Sequence, residues 1–236
     1  MKKRAKLATL VALILISMLT IAPTLASARQ KIVVIDAGHQ AKGNSAKEPI
    51  GPGSSTKKAK VSSGTRGIAT RVPEYKLNLK VALKLRTELK KRGYKVIMVR
   101  TTNNVNISNA ERSKLANRVH ADLLFRIHAN GSPSSKTQGY LTMVPASNRW
   151  TKPIVAKSLK AGNAIHKATL KATGARNAGL AKSSNMTGFN WSKVPCVIAE
   201  MGFMSNKTED RKLQTSAYQA KLVKGFANGI DAYFGK

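Results

Sequence analysis

The sequence predicts a single α/β domain in which helices cover both faces of a mostly parallel, twisted sheet. Short β-branched runs alternate along the chain with longer segments of helical period, the pattern that strand–helix–strand units give. The 236 residues, 42% of them hydrophobic, are enough to bury a sizeable core. The sequence shows no internal repeat and no linker to a second module, so we expect one domain.

The first residues have the features of a secretory signal peptide. A basic stretch at residues 1–6 precedes an apolar run at about 7–19, and an A-x-A cleavage pattern occupies 26–28. The apolar run is short for a membrane span, which takes about 20 residues. We therefore expect residues 1–28 to be cleaved, leaving 29–236 as the mature domain without a stable membrane span. The alternative is an uncleaved membrane anchor.

The first half of the mature chain contains a strand, a long loop and a helix. Residues 31–36 (KIVVID) form a β-branched run that predicts a buried strand. Residues 41–70, rich in Gly, Ser, Lys and Pro, are predicted to form a long, solvated basic loop, and loops of this length are usually functional or mobile. A helical period then begins near Pro73, which suits a first turn, and ends before Gly93.

Two strands and a second helix follow. Residues 95–99 (KVIMV) and 122–127 predict the strands. Between them, residues 108–120 predict a helix, because Ser108 can act as its N-cap and Glu111 can complete a capping box.

The last part of the chain predicts two further strands and two helices. The strands are expected at 140–144 and 194–199, and the helices at about 153–171 and at 216–234. The one cysteine of the chain, Cys196, lies in the second apolar run and is expected to be a buried small hydrophobe rather than a reactive thiol. A single cysteine also excludes an internal disulfide scaffold and a Cys-rich zinc module.

The charge is strongly positive, with 42 Lys and Arg residues against 10 Asp and Glu residues and a net charge of +32. Four basic residues and no acids lie in the first 28 residues, so the mature chain carries +28. For an exported protein, this charge predicts attraction to anionic cell-wall polymers. A DNA-binding protein would show the same excess, but the sequence has no recognised nucleic-acid motif, and 5% aromatic residues supply few stacking platforms.

Two histidines and two glutamates are predicted to meet at one edge of the sheet. His39 and His128 directly follow predicted strands, and Glu200 follows the strand at 194–199. In open α/β sheets, ligands gather outside the carboxyl ends of the strands. Glu74, in the first turn of its helix, can reach the same edge. Two His and one Glu are the ligands of a catalytic zinc with an open position for water, and a further carboxylate fits a general base.

The shortage of acids strengthens this hypothesis. Asp36, Glu74 and Glu200 fall at predicted element ends beside the histidine pair, whereas most other acids are placed like solvated charges. Each of these residues alone is more often part of an ion pair or a cap, and the spacing is not a compact HExxH. The remaining histidines, His120 and His166, lie on predicted helices and are interpreted as non-ligands.

Six motifs occur in a fixed order over about 175 residues: IVVIDAGHQ, VPEYKLNLKVALKL, KRGYKVIMVRTT, NAERSKLAN, FRIHAN and VIAEMGFMSN. In these motifs the chain resembles the zinc-dependent N-acetylmuramoyl-L-alanine amidases of bacterial cell-wall hydrolysis, of the type called amidase 3. The resemblance covers essentially the whole mature chain, so it implies that 29–236 is an amidase catalytic domain.

The resemblance implies roles for single residues. His39, Glu74 and His128 would bind one Zn²⁺ ion, and Glu200 would be the catalytic carboxylate. The substrate would be peptidoglycan, cut between N-acetylmuramic acid and the L-alanine of the stem peptide. The sequence departs from the family pattern at Arg126, because a small residue usually stands directly before the Ile-His of the second histidine motif.

Asp36 and Arg126 are further candidates near the expected zinc. Asp36 can orient His39 by accepting its other N–H, or can form an ion pair with a nearby Lys or Arg. Arg126 shares a strand face with His128 and needs a carboxylate partner if it is buried. We expect Arg126 to pair with Glu200 and lower its pKa. Asp36 is the other carboxylate with which Arg126 can pair. The alternative to an ion pair is that the side chain of Arg126 extends to solvent along the sheet edge.

Two other functions remain open from the sequence. The chain can be another zinc hydrolase of the wall, such as a peptidase that cuts within the stem peptide. It can also be a cationic wall-binding protein with an inactive site. All four proposed metal and catalytic positions are intact, which favours an enzyme.

Overall fold

The computed structural model describes residues 29–236. The expected signal peptide at 1–28 lies outside the described residues. The described part contains eight strands and six helices. In chain order they are β1 (Ile32–Ala37), β2 (Asn44–Pro49), β3 (Lys57–Val61), α1 (Glu74–Lys91), β4 (Lys95–Met98), α2 (Asn109–Arg118), β5 (Leu123–Asn130), β6 (Tyr140–Pro145), α3 (Val155–Thr173), β7 (Asn177–Ser183), α4 (Thr187–Asn190), β8 (Cys196–Phe203), α5 (Lys207–Gln214) and α6 (Ser216–Phe234).

Six strands form one mostly parallel sheet in the order β4-β1-β5-β8-β6-β7. The first four strands are mutually parallel, and β6 pairs with β8 in the antiparallel direction. β7 then pairs in parallel with β6. This confirms the predicted fold class.

The central strands have buried side chains on both faces, because successive residues of a strand point to opposite sides. On β1, Val33 and Ile35 join the core beneath α1, α3 and α6, whereas Val34 joins a smaller core on the other face. On β5, Phe125 belongs to the first core and Leu124 to the second. The second core packs against α2 and the short α4, so helices cover both faces as the sequence predicted.

The long basic loop predicted at 41–70 is partly wrong. Within it, β2 and β3 pair as an antiparallel hairpin that forms a separate two-stranded sheet. Glu48 of β2 is buried and accepts a hydrogen bond from the backbone N–H of Ala110, which anchors the hairpin to the start of α2. The indole N–H groups of Trp150 and Trp191 donate to the carbonyl oxygens of Pro52 and Pro49.

Most other elements lie where the sequence placed them. α6 has the predicted bounds, and the capping box of Ser108 and Glu111 is present at the start of α2. Strand ends differ more: β5 and β8 continue through Asn130 and Phe203, several residues beyond the predicted ends. Strand β7 was not predicted. Among residues 29–236, no helix is long and apolar enough to cross a membrane.

Candidate metal and catalytic site

Three of the candidate site residues lie on the sheet face that carries the smaller core, just beyond the last apolar residues of that core. On β5, Arg126 and His128 follow Leu124 on that face, and on β8 Glu200 follows Ile198. The expectation that His128 and Glu200 stand beyond strand ends is therefore wrong, because both strands continue past them. The two residues are register partners on adjacent parallel strands.

Three of the predicted residues form a compact cluster. Nε2 of His39 lies 3.2 Å from one carboxylate oxygen of Glu74, and Nδ1 of His128 lies 3.2 Å from the other. One potential ligand atom from each residue lies within 4.8 Å of the others. Among residues 29–236, this is the one group of three or more His, Cys, Asp or Glu side chains close enough to hold a metal ion together.

Backbone and side-chain donors fix the orientation of Glu74. Its Oε1 accepts from the backbone N–H of Ala129 and from the side chain of Asn78, one turn further along α1. Its Oε2 accepts from the backbone N–H of Thr65. A carboxylate held by three donors keeps one geometry, and such outer partners tune the ligands of metal sites.

His39 is held in an unusual backbone conformation. Its φ is 60°, in the left-handed region that few non-glycine residues adopt and that often marks functional sites. Its Nδ1 lies 3.0 Å from both the carbonyl oxygen and the hydroxyl oxygen of Ser62, and its Nε2 faces Glu74. Gly38 permits this arrangement, because a β-carbon there would collide with the ring of His128. Of the two roles that the sequence left open for Asp36, the hydrogen bond from His39 is absent among the described residues, where Nδ1 of His39 contacts Ser62 instead.

The protonation states suit metal binding. Burial lowers the pKa of His128 to about 4, although the hydrogen bond with Glu74 opposes the shift, so the ring is neutral at neutral pH. Burial favours the neutral form of Glu74, but hydrogen bonds from His128 and His39 outweigh it and hold its pKa well below the usual range. A neutral histidine and an ionised carboxylate are the forms that bind metals.

Glu200 lies beside the cluster without a hydrogen bond. Its Oε2 is buried and has no partner among residues 29–236, and the same holds for Nε2 of His128. Burial, together with the negative charge of Glu74, raises the pKa of Glu200 to about 8, while Arg126 acts in the opposite direction. The sequence predicted a lowered pKa for Glu200, and that prediction is wrong.

Arg126 pairs with Asp36 rather than with Glu200, so the favoured partner was wrong. Nε of Arg126 donates to one oxygen of Asp36 at 2.8 Å, and Arg112 donates to the other at 2.6 Å. All three side chains are at most 4% exposed, which also contradicts extension of Arg126 to solvent. Burial opposes ionisation of Asp36, but the two guanidinium groups hold its pKa far below the usual range. Asp36 therefore has the ion-pair role that the sequence left open.

This buried network predicts a large loss of stability on substitution of Asp36. Asp36→Ala leaves two buried guanidinium groups without their carboxylate, which costs about 3–5 kcal/mol. Glu88→Ala is the matched control, because its ion pair with Arg92 is partly exposed and contributes about 0.3–0.5 kcal/mol. Urea unfolding at neutral pH measures both. A loss below about 1 kcal/mol for Asp36→Ala would mean that the arginines find other partners.

The cluster opens on a cavity of about 240 Å³. His39, His128 and Glu200 line it, together with Lys58 of β3 and Asn185 of the loop before α4. The ammonium group of Lys58 donates to the carbonyl oxygen of Asn185 at 2.9 Å, which joins the hairpin to the loop before α4.

Comparison with known proteins decides the family. Residues 33–232 match a family model described as N-acetylmuramoyl-L-alanine amidase. The chain belongs to this amidase family. The predicted resemblance is thereby confirmed, over nearly all of the described residues.

Relatives of this amidase-family chain include two proteins of Bacillus subtilis. The chain is 27% identical to the N-acetylmuramoyl-L-alanine amidase LytC over 161 residues, which cover 68% of this chain and 31% of LytC. It is also 27% identical to the sporulation-specific N-acetylmuramoyl-L-alanine amidase over 163 residues, which cover 68% of this chain and 60% of that protein. The chain thus matches about a third and three fifths of the lengths of these relatives.

A solved catalytic domain of the family has a similar structure. It is that of CwlV, an N-acetylmuramoyl-L-alanine amidase from Bacillus (Paenibacillus) polymyxa var. colistinus, with a TM-score of 0.72 and 29% identity. The match covers 87% of this chain and 99% of the CwlV domain. The α/β fold described above is therefore the fold of an amidase catalytic domain.

Sequence reasoning missed several residues of this amidase-family site. Asn78 carried a local signal, because it stands four residues after Glu74 on one helix face. Ser62 carried none, since it lies in the long polar segment between β1 and α1, and both its hydroxyl and its carbonyl oxygen contact His39. Arg112 is fully buried on a short polar helix, where the sequence suggests an exposed position. The non-ligand interpretation of His166 fits its contacts, because its ring bonds Thr142 and Asn177.

Proposed function

We propose that this chain is a zinc-dependent peptidoglycan amidase that hydrolyses the bond between the lactyl group of N-acetylmuramic acid and L-alanine. The observation that carries the proposal is the cluster of His39, Glu74 and His128 with the unpartnered carboxylate of Glu200 beside it. Two histidines and a glutamate suit Zn²⁺, and the buried, unpartnered ring nitrogen of His128 is what an absent ligand partner would leave. When bound, zinc acidifies a water molecule to a pKa of about 7 and polarises the amide carbonyl.

The protein's own residues supply the proton transfer. Glu200 lines the cavity beside the cluster and, when ionised, its carboxylate can accept a proton from the attacking water. The same carboxylate then delivers that proton to the departing amine of L-alanine. The products are a free carboxyl on the lactyl group and a free amine on L-alanine.

The positions of the new ends test this function. Mass spectrometry of peptidoglycan digested by the zinc-loaded protein should find intact stem peptides that begin with the free amine of L-alanine. A wall peptidase, the first alternative, would instead create new ends within the stem peptide. New amine ends at any other residue would contradict the proposed cleavage site.

The second alternative, an inactive wall-binding protein, is tested by zymography. On gels that contain cell walls, the amidase should clear a band, and a chelator should abolish the clearing. A protein that binds walls but clears nothing after zinc loading would favour the inactive alternative.

We also propose that the chain is exported and acts at the cell wall. The support is the signal-peptide pattern at 1–28 together with membership of a cell-wall amidase family. N-terminal sequencing of the protein recovered from cultures should give Arg29 as the first residue. Recovery of an intact Met1 end in the membrane fraction would instead indicate an anchor.

Anionic wall polymers are the proposed binding partners of the basic surface. Lys42, Lys47 and Lys57 in and beside the hairpin are exposed. Binding to intact walls should fall steeply from 0.1 to 1 M salt, because the Debye length shrinks from about 10 to about 3 Å. It should fall as well on walls stripped of anionic polymers. Equal retention on stripped and intact walls would contradict this prediction.

A charge-matched pair of variants locates the contact. Replacing Lys42, Lys47 and Lys57 with glutamine should weaken wall binding more than the same change at Lys157, Lys160 and Lys167, which are exposed on α3. Pull-down with isolated walls measures both triple variants. Equal losses would show that net charge acts without a preferred surface.

A further inference from the structure

The guanidinium group of Arg126 is only partly used by the fold. Arg126 is 3% exposed, and arginine carries five N–H donors. Nε donates to Asp36 at 2.8 Å, and Nη2 donates to Oδ1 of Asn109 at 3.1 Å. Nη1 has no hydrogen-bond acceptor among residues 29–236. Nη1 is not fully enclosed by the protein, and a charged donor left free in this way can bind an anion.

The unused end of Arg126 lies at the wall of the candidate active-site cavity. Arg126 and Gly188 line the same cavity as His128 and Glu200. A β-carbon at position 188 would collide with Nη1 of Arg126, so Gly188 leaves the space that this nitrogen occupies. Asp36 accepts from Nε and Asn109 accepts from Nη2, and these two hydrogen bonds fix the orientation of the guanidinium group.

The surroundings of Arg126 carry excess positive charge. Arg100, Arg112 and Arg126 are all buried, and Asp36 is the one carboxylate that bonds any of them among the described residues. The guanidinium group of Arg100 donates to backbone carbonyl oxygens and to the side chain of Asn103, and to no carboxylate. Glu200 lines the same cavity but makes no hydrogen bond to Arg126. An anion in the cavity would therefore meet an unpaired donor on a positively charged group.

The backbone spacing between Arg126 and the metal-cluster residue His128 is similar to the length of two residues of an extended peptide. Arg126 precedes His128 by two residues on β5, a rise of about 6.6 Å along the strand. In the proposed substrate, the α-carboxyl group of the residue after L-alanine lies two residues from the cleaved bond, and an extended peptide advances by about 3.3–3.6 Å per residue.

We propose that Nη1 of Arg126 binds a free carboxylate of the stem peptide, the α-carboxylate of the residue that follows L-alanine. This inference rests on the proposed muramoyl-peptide substrate and adds a specificity determinant to it. Arg126 then favours stem peptides in which this group is ionised over those in which it is a carboxamide.

The test compares two ligands that differ in one group. They are muramoyl dipeptides whose second residue carries either a free α-carboxyl or an α-carboxamide. Titration calorimetry uses the mature, zinc-loaded protein with Glu200→Gln, so that little ligand is hydrolysed during the measurement. The acid should bind about 10- to 100-fold more tightly than the amide, the range for a hydrogen bond to a charged group. Adding Arg126→Met should remove that preference.

Two further variants separate this role from a structural one. Gly188→Ala displaces Nη1 while keeping the charge, and it should also reduce the preference for the acid, even if Arg126→Met fails to fold. Lys167→Met removes an exposed positive charge on α3, outside the residues that line the cavity, and should leave the preference unchanged.

Three results would overturn the proposal. Equal binding of acid and amide by the Glu200→Gln protein would show that no carboxylate is recognised. Equal weakening of both ligands by Arg126→Met would assign Arg126 to the fold or to a neutral part of the substrate. Binding of neither ligand would refute the proposed substrate, and this inference with it.

Discussion

Replacing His128 with alanine is expected to abolish peptidoglycan hydrolysis and to lower zinc affinity by more than about 100-fold. Changing even an outer partner of a metal ligand costs about 10- to 100-fold in affinity or activity, so loss of a ligand should exceed that range. His128 supplies one of three clustered donors, and its neutral ring is the form that binds metal. Metal analysis after dialysis, followed by a hydrolysis assay, measures both effects.

His166→Ala is the control for that experiment. The ring of His166 bonds Thr142 and Asn177 and lies outside the cluster, so this variant should keep both zinc and activity. Circular dichroism of each variant shows whether the fold is retained. A folded His128→Ala protein that keeps one zinc per chain would contradict the proposed ligand set.

The sequence predicted the central sheet well because burial leaves a periodic pattern. Val33 and Ile35 on one face and Val34 on the other produce the unbroken apolar run that strands buried on both faces show. The capping box at Ser108 has a local signature of its own. Both kinds of signal depend on neighbours in the chain and need no knowledge of tertiary contacts.

The hairpin of β2 and β3 carried no such signal. Its strands read NSAKEP and KKAKV, and most of their side chains are exposed. The hairpin is held by backbone pairing and by tryptophan and asparagine side chains that donate to its carbonyl oxygens. A hydrogen bond to a backbone carbonyl does not depend on the side chain of the residue that accepts it. The sequences of β2 and β3 therefore carry no strand pattern and predict a loop.

The candidate site was predicted only in part, because residue types are visible in the sequence but contacts between strands are not. His39, Glu74, His128 and Glu200 were identified by residue type and placement along the chain, and the structure brings them together. The predicted partner of Arg126 was wrong because the order of the strands in the sheet determines which carboxylate lies next to Arg126. β5 lies between β1 and β8, so Arg126 has Asp36 on one side and the strand of Glu200 on the other. The sequence could not rank these neighbours.

Glu200→Gln is expected to lower hydrolysis by about 10²–10⁴-fold while zinc stays bound, because general acid–base catalysis contributes that much. Glutamine has nearly the same shape but cannot accept the proton of the attacking water. The exchange should cost little stability, since Oε2 of Glu200 has no hydrogen bond to lose among the described residues. Glu88→Gln, on the outer part of α1, is the control and should leave hydrolysis unchanged.

The pH dependence of the unsubstituted protein provides a second test of Glu200. Burial and the charge of Glu74 raise its pKa to about 8, and a cation held by the neighbouring cluster would lower that value. A base must be ionised to act, so kcat/KM should fall as the pH drops through the pKa of Glu200. We expect that acidic limb to lie above the ordinary glutamate value of 4.5 and no higher than about 8. The residual activity of Glu200→Gln should lack this limb. If Glu200→Gln loses zinc as readily as His128→Ala, Glu200 is a metal ligand instead of the base. If Glu200→Gln keeps the acidic limb, Glu200 is not the group that titrates, and its role as the base is contradicted.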